Sequence, residues 1–240
     1  MAEASLRAVI LAGGLGTRLR PYTTVLPKPL VPVGDRPILE HIVGQLHKAG
    51  VNVVDLCVGH LGELIQVYFS QSGALPEGLE LRWHWEDEPL GTAGSLRLVE
   101  GLEGTFLVMN GDVLTNLDYR ELLRSHEASG ATLTIATYAK PVQIDLGVID
   151  TDGNRIVGYH EKPRLDYEVS MGIYVYDERA LTHLPAEGPC QFPELVQRLL
   201  DAGEQVNAFR SDADWFDIGT PGEHRRADDA FAESPERFDP

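Results

Sequence analysis

Three closely spaced glycines, Gly13, Gly14 and Gly16, follow the apolar run Arg7-Ala8-Val9-Ile10-Leu11-Ala12, and Arg18 comes just after them. Glycines without side chains let backbone amides approach a phosphate, and a guanidinium forks onto its oxygens. Further along, Lys28 stands between Pro27 and Pro29, which predicts a rigid extended segment aiming one ammonium in a fixed direction. Two carboxylates sit where elements change: Asp112 just after the apolar run Phe106-Leu107-Val108-Met109, and Asp217 just before Thr220. Either aspartate taken alone reads equally well as a turn or capping residue.

The glycine loop fits neither common phosphate fingerprint. A dinucleotide-binding G-x-G-x-x-G starting at Gly14 needs glycine at position 19, where Leu19 stands, and no Gly-Lys-Ser/Thr follows as in a Walker loop. A plain glycine turn is the alternative for the loop alone. Cys57 and Cys190 are the only cysteines, so neither a disulfide framework nor a thiolate metal site is supported. His60, His84, His126, Trp83 and Trp85 have no ligand spacing and read as packing or surface residues.

The elements that must hold these residues alternate. A first strand over 7–12 reads as buried on both faces, and Pro37 to Ala49 places Ile38, Ile42 and Leu46 on one helical stripe ended by Gly50. Strands follow over 51–58, 79–85, 105–109 and 132–138, separated by helices over 61–70, 92–102 and 119–128, with Thr92 a candidate cap for the second of these. Such alternation means parallel βαβ units in an α/β fold, a Rossmann-like, mainly parallel sheet flanked by helices. Ligands bind at the carboxyl edge of such a sheet, where both the glycine loop and Asp112 fall. From about 140 the texture turns β-rich: Asp152-Gly153 signals a type I′ hairpin, with a strand over 168–176, a helix over 193–202 and a strand over 205–210. Thr220-Pro221-Gly222-Glu223 reads as a capping box, and Ser234 to Pro240 as a frayed end. The expectation is a single domain over 1–240, with a lobe over about 1–139 and a β-rich lobe over about 140–240 on the same sheet.

Leu11-Ala12-Gly13-Gly14-x-Gly16-Thr17-Arg18-Leu19-x-Pro21 and Pro27-Lys28-Pro29-Leu30-x-Pro32 together resemble the signature of the sugar-phosphate nucleotidyltransferases, or nucleotide-sugar pyrophosphorylases. The resemblance continues in order through Pro89-Leu90-Gly91-Thr92-Ala93-Gly94, Asn110-Gly111-Asp112, Gly147-Val148-Ile149, Glu161-Lys162-Pro163, Gly172-Ile173-Tyr174 and Trp215-Phe216-Asp217-Ile218-Gly219. It implies transfer of a nucleotidyl group from a nucleoside triphosphate to a sugar 1-phosphate, with release of pyrophosphate. It implies catalytic roles for Arg18, Lys28 and Asp112. Nucleotide contacts are implied for Leu11, Ala12, Gly13, Gly14, Gly16, Thr17, Gly91, Thr92, Ala93 and Asn110. Glu161 would hold sugar hydroxyls and Lys162 the sugar phosphate, with Gly147, Ser170 and Gly172 beside them. Asp112 and Asp217 would hold Mg²⁺, a hard cation that prefers oxygens and keeps waters.

A phosphate nucleophile is already largely ionised at neutral pH, so the lack of a His/Asp or Cys/His dyad counts for nothing against this chemistry. Two residues have plainer readings, Gly91 as a turn and Glu161 as half of a strand-end ion pair. Val169-Ser170-Met171 stand where family members often carry an asparagine. The motifs look most like mannose- or heptose-1-phosphate guanylyltransferases, which favours GTP, with UTP or dTTP as alternatives. A non-catalytic nucleotide-sugar-binding subunit is the rival from another class; a nicotinamide oxidoreductase suffers from Leu19.

Composition bounds the partners. Twenty Lys and Arg against 37 Asp and Glu give a net charge of −17, which repels nucleic acid and anionic membranes. Residues 1–48 run the other way, with six basic and three acidic side chains, and so favour a small anion. No apolar run approaches the roughly 18 residues of a membrane span, and Met1 to Ser5 lack a secretory start, so a cytoplasmic protein is expected. The segment after Gly219 shows no hexapeptide repeats, so no C-terminal β-helix is expected and a monomer or homodimer is the anticipated state.

Overall fold

The computed structural model describes residues 6–238; the expectations for Met1 to Ser5 and for the last two residues lie outside them. Seven strands form the central sheet: β1 (Leu6–Ala12), β2 (Val51–Val58), β3 (Glu80–Trp85), β4 (Thr105–Asn110), β5 (Leu133–Gln143), β6 (Arg164–Asp177) and β7 (Val206–Ser211). Their order across the sheet is β7-β5-β6-β4-β1-β2-β3. All neighbours run parallel except β6, which lies antiparallel between β4 and β5. The helices are α1 (Ile38–Lys48), α2 (Gly62–Gln71), α3 (Tyr119–Ser129), α4 (Phe192–Asp201) and α5 (Pro221–Glu233). This is the mixed, mainly parallel, Rossmann-like sheet that the alternation predicts, and no β-helix occurs among the described residues.

Residues of β1 alternate between the two faces, as a pleated strand requires. Ala8, Ile10 and Ala12 join one buried cluster with Ile38, Ile42 and Leu46 of α1 and Leu122 of α3. Val9 faces the other way, onto Cys57, Val108 and Leu195 and Leu199 of α4. Burial on both faces explains why the strand reads as continuously apolar.

Several elements differ from expectation. The helix predicted over 92–102 shrinks to a 3-10 turn, Gly94–Leu98. Thr92 does not cap it; its hydroxyl accepts from the Phe192 N–H at 2.9 Å, while the Ala93 and Gly94 N–H groups donate to the Cys190 carbonyl. Long-range partners thus take the donors that a helix start would have used. The hairpin pairs Val148–Asp152 with Arg155–His160, and Asp152 opposite Arg155 leaves Gly153-Asn154 as the loop. Only Gly153 of that pair has positive φ, which excludes type I′, where both loop residues need it. Thr220 caps α5 by accepting from the Glu223 N–H, but Glu223 receives the Thr220 hydroxyl instead of closing the capping box. The C-terminal segment is not frayed up to Phe238, which is 1% exposed and packs against Phe216 and Phe231. No helix is long and apolar enough to cross a membrane among the described residues.

Candidate functional site

Because β1 to β4 are parallel, the segments after them gather at one edge: Gly13-Gly14, Gly59, Glu86 and Gly111-Asp112. The strand order reverses at β1, which lies between β4 and β2, and such a switch point opens a crevice. Close backbone packing lines it. The Gly111 N–H donates to the Leu11 carbonyl at 3.0 Å, and a Cβ on Gly59 would come within 3.0 Å of the Gly13 carbonyl oxygen. Gly16 has φ 57°, and the Thr23 hydroxyl donates to its carbonyl at 2.8 Å, closing the loop back on itself. Leu19 is fully buried, so the position that a dinucleotide fingerprint would give to glycine serves the core.

Lys28 is not in an extended segment. Pro27 and Val31 are extended at its two ends, and Lys28 begins a 3-10 turn closed by the Leu30 N–H on the Pro27 carbonyl at 2.9 Å. The turn brings the Lys28 ammonium onto Oδ2 of Asp112. The other oxygen, Oδ1, is buried without a hydrogen-bond partner among the described residues. Asp217 is set beside it by a short ladder, Trp215–Asp217 on Val113–Thr115, and the Ile218 N–H donates to the Asp112 carbonyl at 3.1 Å. Burial holds the Asp217 carboxyl above the usual aspartate range, and the Asp112 charge adds to this, with Lys28 and Arg18 opposing it. The Arg18 guanidinium lies against Gly219, 3.5 Å from where a Cβ would stand.

Two cavities meet at Lys28 and Asp112, while Asp217 lines neither of them. One of about 320 Å³ is lined by Leu11, Ala12, Gly13, Gly14, Lys28, Gly91, Thr92, Asn110 and Asp112 among others. The second, about 370 Å³, is lined by Gly13 to Arg18, Lys28, Asp112 and Gly219. Of the expected nucleotide contacts only Ala93 falls outside both; it is fully buried beneath the wall. Gly172, at φ 72°, faces Asn110, whose Nδ2 would lie 2.6 Å from a Cβ there. Ser170 accepts from the Gly172 N–H at 3.2 Å. Gly147, Glu161 and Lys162 line neither cavity. They sit at the outer end of the ladder between β5 and β6, where Gln143 pairs with Arg164. Glu161 accepts from the Tyr159 hydroxyl at 3.0 Å and forms no ion pair among the described residues, and Lys162 takes φ 45°.

Three residues of the first cavity, Glu86, Ser95 and Gln191, escape the sequence reading. Glu86 accepts from the Ser95 hydroxyl at 2.8 Å and the Leu90 N–H at 3.2 Å, and its Oε1 would lie 2.6 Å from a Cβ on Gly13. Its position one residue beyond β3, at the same sheet edge, is the signal that could have found it. Gln191 is carried in by α4, and nothing near it in sequence announces this.

The donor set suits a hard divalent cation. A buried carboxylate oxygen lacks a hydrogen-bond partner among the described residues, and a second, partly desolvated carboxylate lies near enough to feel its charge.

A glycine loop at a switch point, with two cations and a carboxylate in one crevice and a second carboxylate nearby, defines a Rossmann-like α/β protein with a cation-lined cleft at its sheet edge. The chain belongs to the nucleotidyl transferase family, whose profile matches residues 7–234. It is 31% identical over 235 residues to the UTP–glucose-1-phosphate uridylyltransferase of Synechocystis sp., covering 89% of this chain and 60% of that protein. The chain thus spans about three-fifths of that relative's length. It is 30% identical to the D-glycero-alpha-D-manno-heptose 1-phosphate guanylyltransferase of Aneurinibacillus thermoaerophilus, covering 92% of this chain and 96% of that one. Among solved structures, HddC from Yersinia pseudotuberculosis complexed with GMP-PN superposes with a TM-score of 0.70 at 26% identity, over 94% of this chain and 99% of HddC.

Proposed function

We propose that this protein transfers a nucleotidyl group from a nucleoside triphosphate, GTP by preference, to a sugar 1-phosphate, with Mg²⁺ as cofactor. The observation that carries the reading is the Lys28–Asp112 pair, which lines both cavities, with the desolvated Asp217 carboxyl close enough to feel the Asp112 charge. In the reaction, an oxygen of the sugar phosphate attacks the α-phosphorus in line, the bond to the bridging oxygen breaks, and pyrophosphate leaves with that electron pair. No proton needs to move at the nucleophile, so the protein's task is positioning and neutralisation. The backbone of Gly13, Gly14 and Gly16 cradles the triphosphate, with Arg18 and Lys28 meeting its charge. Asp112 and Asp217 would hold Mg²⁺, which supplies charge neutralisation at the phosphates. Lys162 and Glu161 are read as the sugar-phosphate and sugar contacts.

Guanine is favoured by Glu86. A carboxylate in the cavity accepts from the guanine N1–H and 2-amino group together, whereas uracil and thymine set a second carbonyl oxygen against it. The heptose guanylyltransferase relative and the GMP-PN complex of HddC support the same base. Incubating the protein with the four ribonucleoside triphosphates and dTTP, Mg²⁺ and a panel of sugar 1-phosphates is expected to release pyrophosphate and give a GDP-sugar as main product by mass spectrometry. Silence across manno- and gluco-configured phosphates would overturn the transfer reading; a UDP-sugar would overturn only the base.

A further inference from the structure

Gln191 lines the same cavity as Glu86, on a wall built from two loops far apart in sequence. The Cys190 N–H donates to the Leu90 carbonyl at 2.8 Å, and the Ala93 and Gly94 N–H groups return to the Cys190 carbonyl at 3.0 and 2.9 Å. Next to Gln191, the Phe192 ring stacks on Tyr174 with centroids 4.0 Å apart. Gln191 is therefore carried on a backbone tied to the cavity, not on a free loop.

Chemistry fixes the orientation of its amide. The Thr92 backbone N–H and hydroxyl approach one terminal atom at 3.5 and 3.4 Å. A backbone N–H meets only an acceptor, so that atom is the oxygen. The amino nitrogen then lies above Gly91, 2.9 Å from where a Cβ would stand, and has no hydrogen-bond partner among the described residues. Gly91 has φ 80° and no room for a side chain, because a Cβ would also meet the Cys190 carbonyl oxygen at 2.5 Å. Gln191 lines the first cavity and not the second, so it faces the part of the site away from Arg18.

A side-chain donor with its own acceptor occupied, lining the same cavity as a carboxylate, fits a ligand edge that offers an acceptor beside donors. We propose that Gln191 reads the exocyclic oxo group of the base, donating from Nε2 to O6 of guanine. This rests on the nucleotidyl-transfer reading and its base. An amino group at that position, as in adenine or cytosine, would set donor against donor and leave Nε2 unsatisfied.

The test replaces the oxo group and the residue in turn. In 6-thio-GTP a weakly accepting sulfur takes the place of O6, while N1–H and the 2-amino group remain. Wild-type protein is expected to prefer GTP over 6-thio-GTP in kcat/KM by a factor of about ten, one hydrogen bond's worth. Gln191→Ala should bring that ratio close to one and leave the KM for the sugar 1-phosphate unchanged. Equal ratios in the two proteins would overturn the assignment, and partial misfolding cannot mimic it, since both nucleotides meet the same sample. Gln191→Glu, which keeps an oxygen towards Thr92, should raise the ATP:GTP ratio several-fold; an unchanged ratio counts against the proposal. If no triphosphate gives product, dissociation constants for GTP and 6-thio-GTP supply the same comparison, so the transfer reading can fail while this assignment stands. Use of UTP to the exclusion of GTP would overturn the O6 assignment.

Discussion

The hydroxyl of Tyr159 occupies the space where a side chain on Gly147 would begin, and it donates to the Glu161 carboxylate at 3.0 Å. Glycine at 147 therefore has a packing reason: it leaves room for the phenol that holds Glu161. Gly147→Ala should displace Tyr159 and raise the KM for the sugar 1-phosphate several-fold, with the KM for the triphosphate unchanged. Tyr159→Phe should do the same by removing the bond, and the two effects should not add. Additive effects in a double-mutant cycle of steady-state kinetics would separate Gly147 from Tyr159.

Asp217 is partly desolvated and feels the Asp112 charge, which costs stability when no added cation offsets it. Asp217→Asn should therefore hold or raise the thermal midpoint in chelator while lowering turnover by about a hundredfold or more, beyond what losing an outer-shell partner of a metal costs. Mg²⁺ should raise the midpoint of the wild type, by about 2.7 kcal/mol at a hundred times its dissociation constant. The same addition should leave Asp217→Asn nearly unmoved. A calorimetric scan with and without Mg²⁺ reads both.

Glu86→Gln keeps the shape of the side chain and gives it a donor. The amide can satisfy a pyrimidine carbonyl that the carboxylate opposes, so the GTP:UTP ratio of kcat/KM should fall by about tenfold or more, within the 1–3 kcal/mol of a good bidentate contact. One-pot competition between the two triphosphates measures it.

The strands and the glycine loop were legible because their signals are local: a short apolar run ended by Gly13-Gly14, or Val51 to Val58 ended by Gly59. What escaped depends on partners far away in the chain. The apolar 92–102 segment carries helical spacing, yet Cys190 takes its first donors and holds it as a 3-10 turn. Gln191 reaches the cavity through the same contact. Lys28 looked extended because prolines flank it, but Pro29 at the second position of a 3-10 turn is equally compatible with its fixed φ. The short polar stretch around Phe238 gives no hint that its ring packs against Phe216 and Phe231.

That last contact is testable. Phe238 is buried against two aromatic rings, and its carbonyl accepts from the Gln45 side chain at 2.8 Å, tying the segment to α1. Phe238→Ala should cost about 3 kcal/mol, the usual penalty for emptying a buried phenylalanine site. A frayed segment would cost nearly nothing. Urea titration followed by tryptophan fluorescence distinguishes the two, with Phe238→Leu expected to recover most of the loss.

His126 gives a pH signature. It is 2% exposed near the end of α3, its Nδ1 lies 2.8 Å from the Thr134 hydroxyl, and burial holds its pKa below the usual histidine value. As pH falls through about 6.5, the unfolded chain takes up this proton before the folded one does, so stability drops from there down to the depressed folded pKa. His126→Gln keeps a hydrogen-bonding group for Thr134 but does not titrate. The difference in unfolding free energy between wild type and variant should be flat above pH 7 and shift in the variant's favour between pH 6.5 and 5. Denaturant titrations at half-unit pH steps check this, and a constant difference across that window would show that His126 titrates alike in both states.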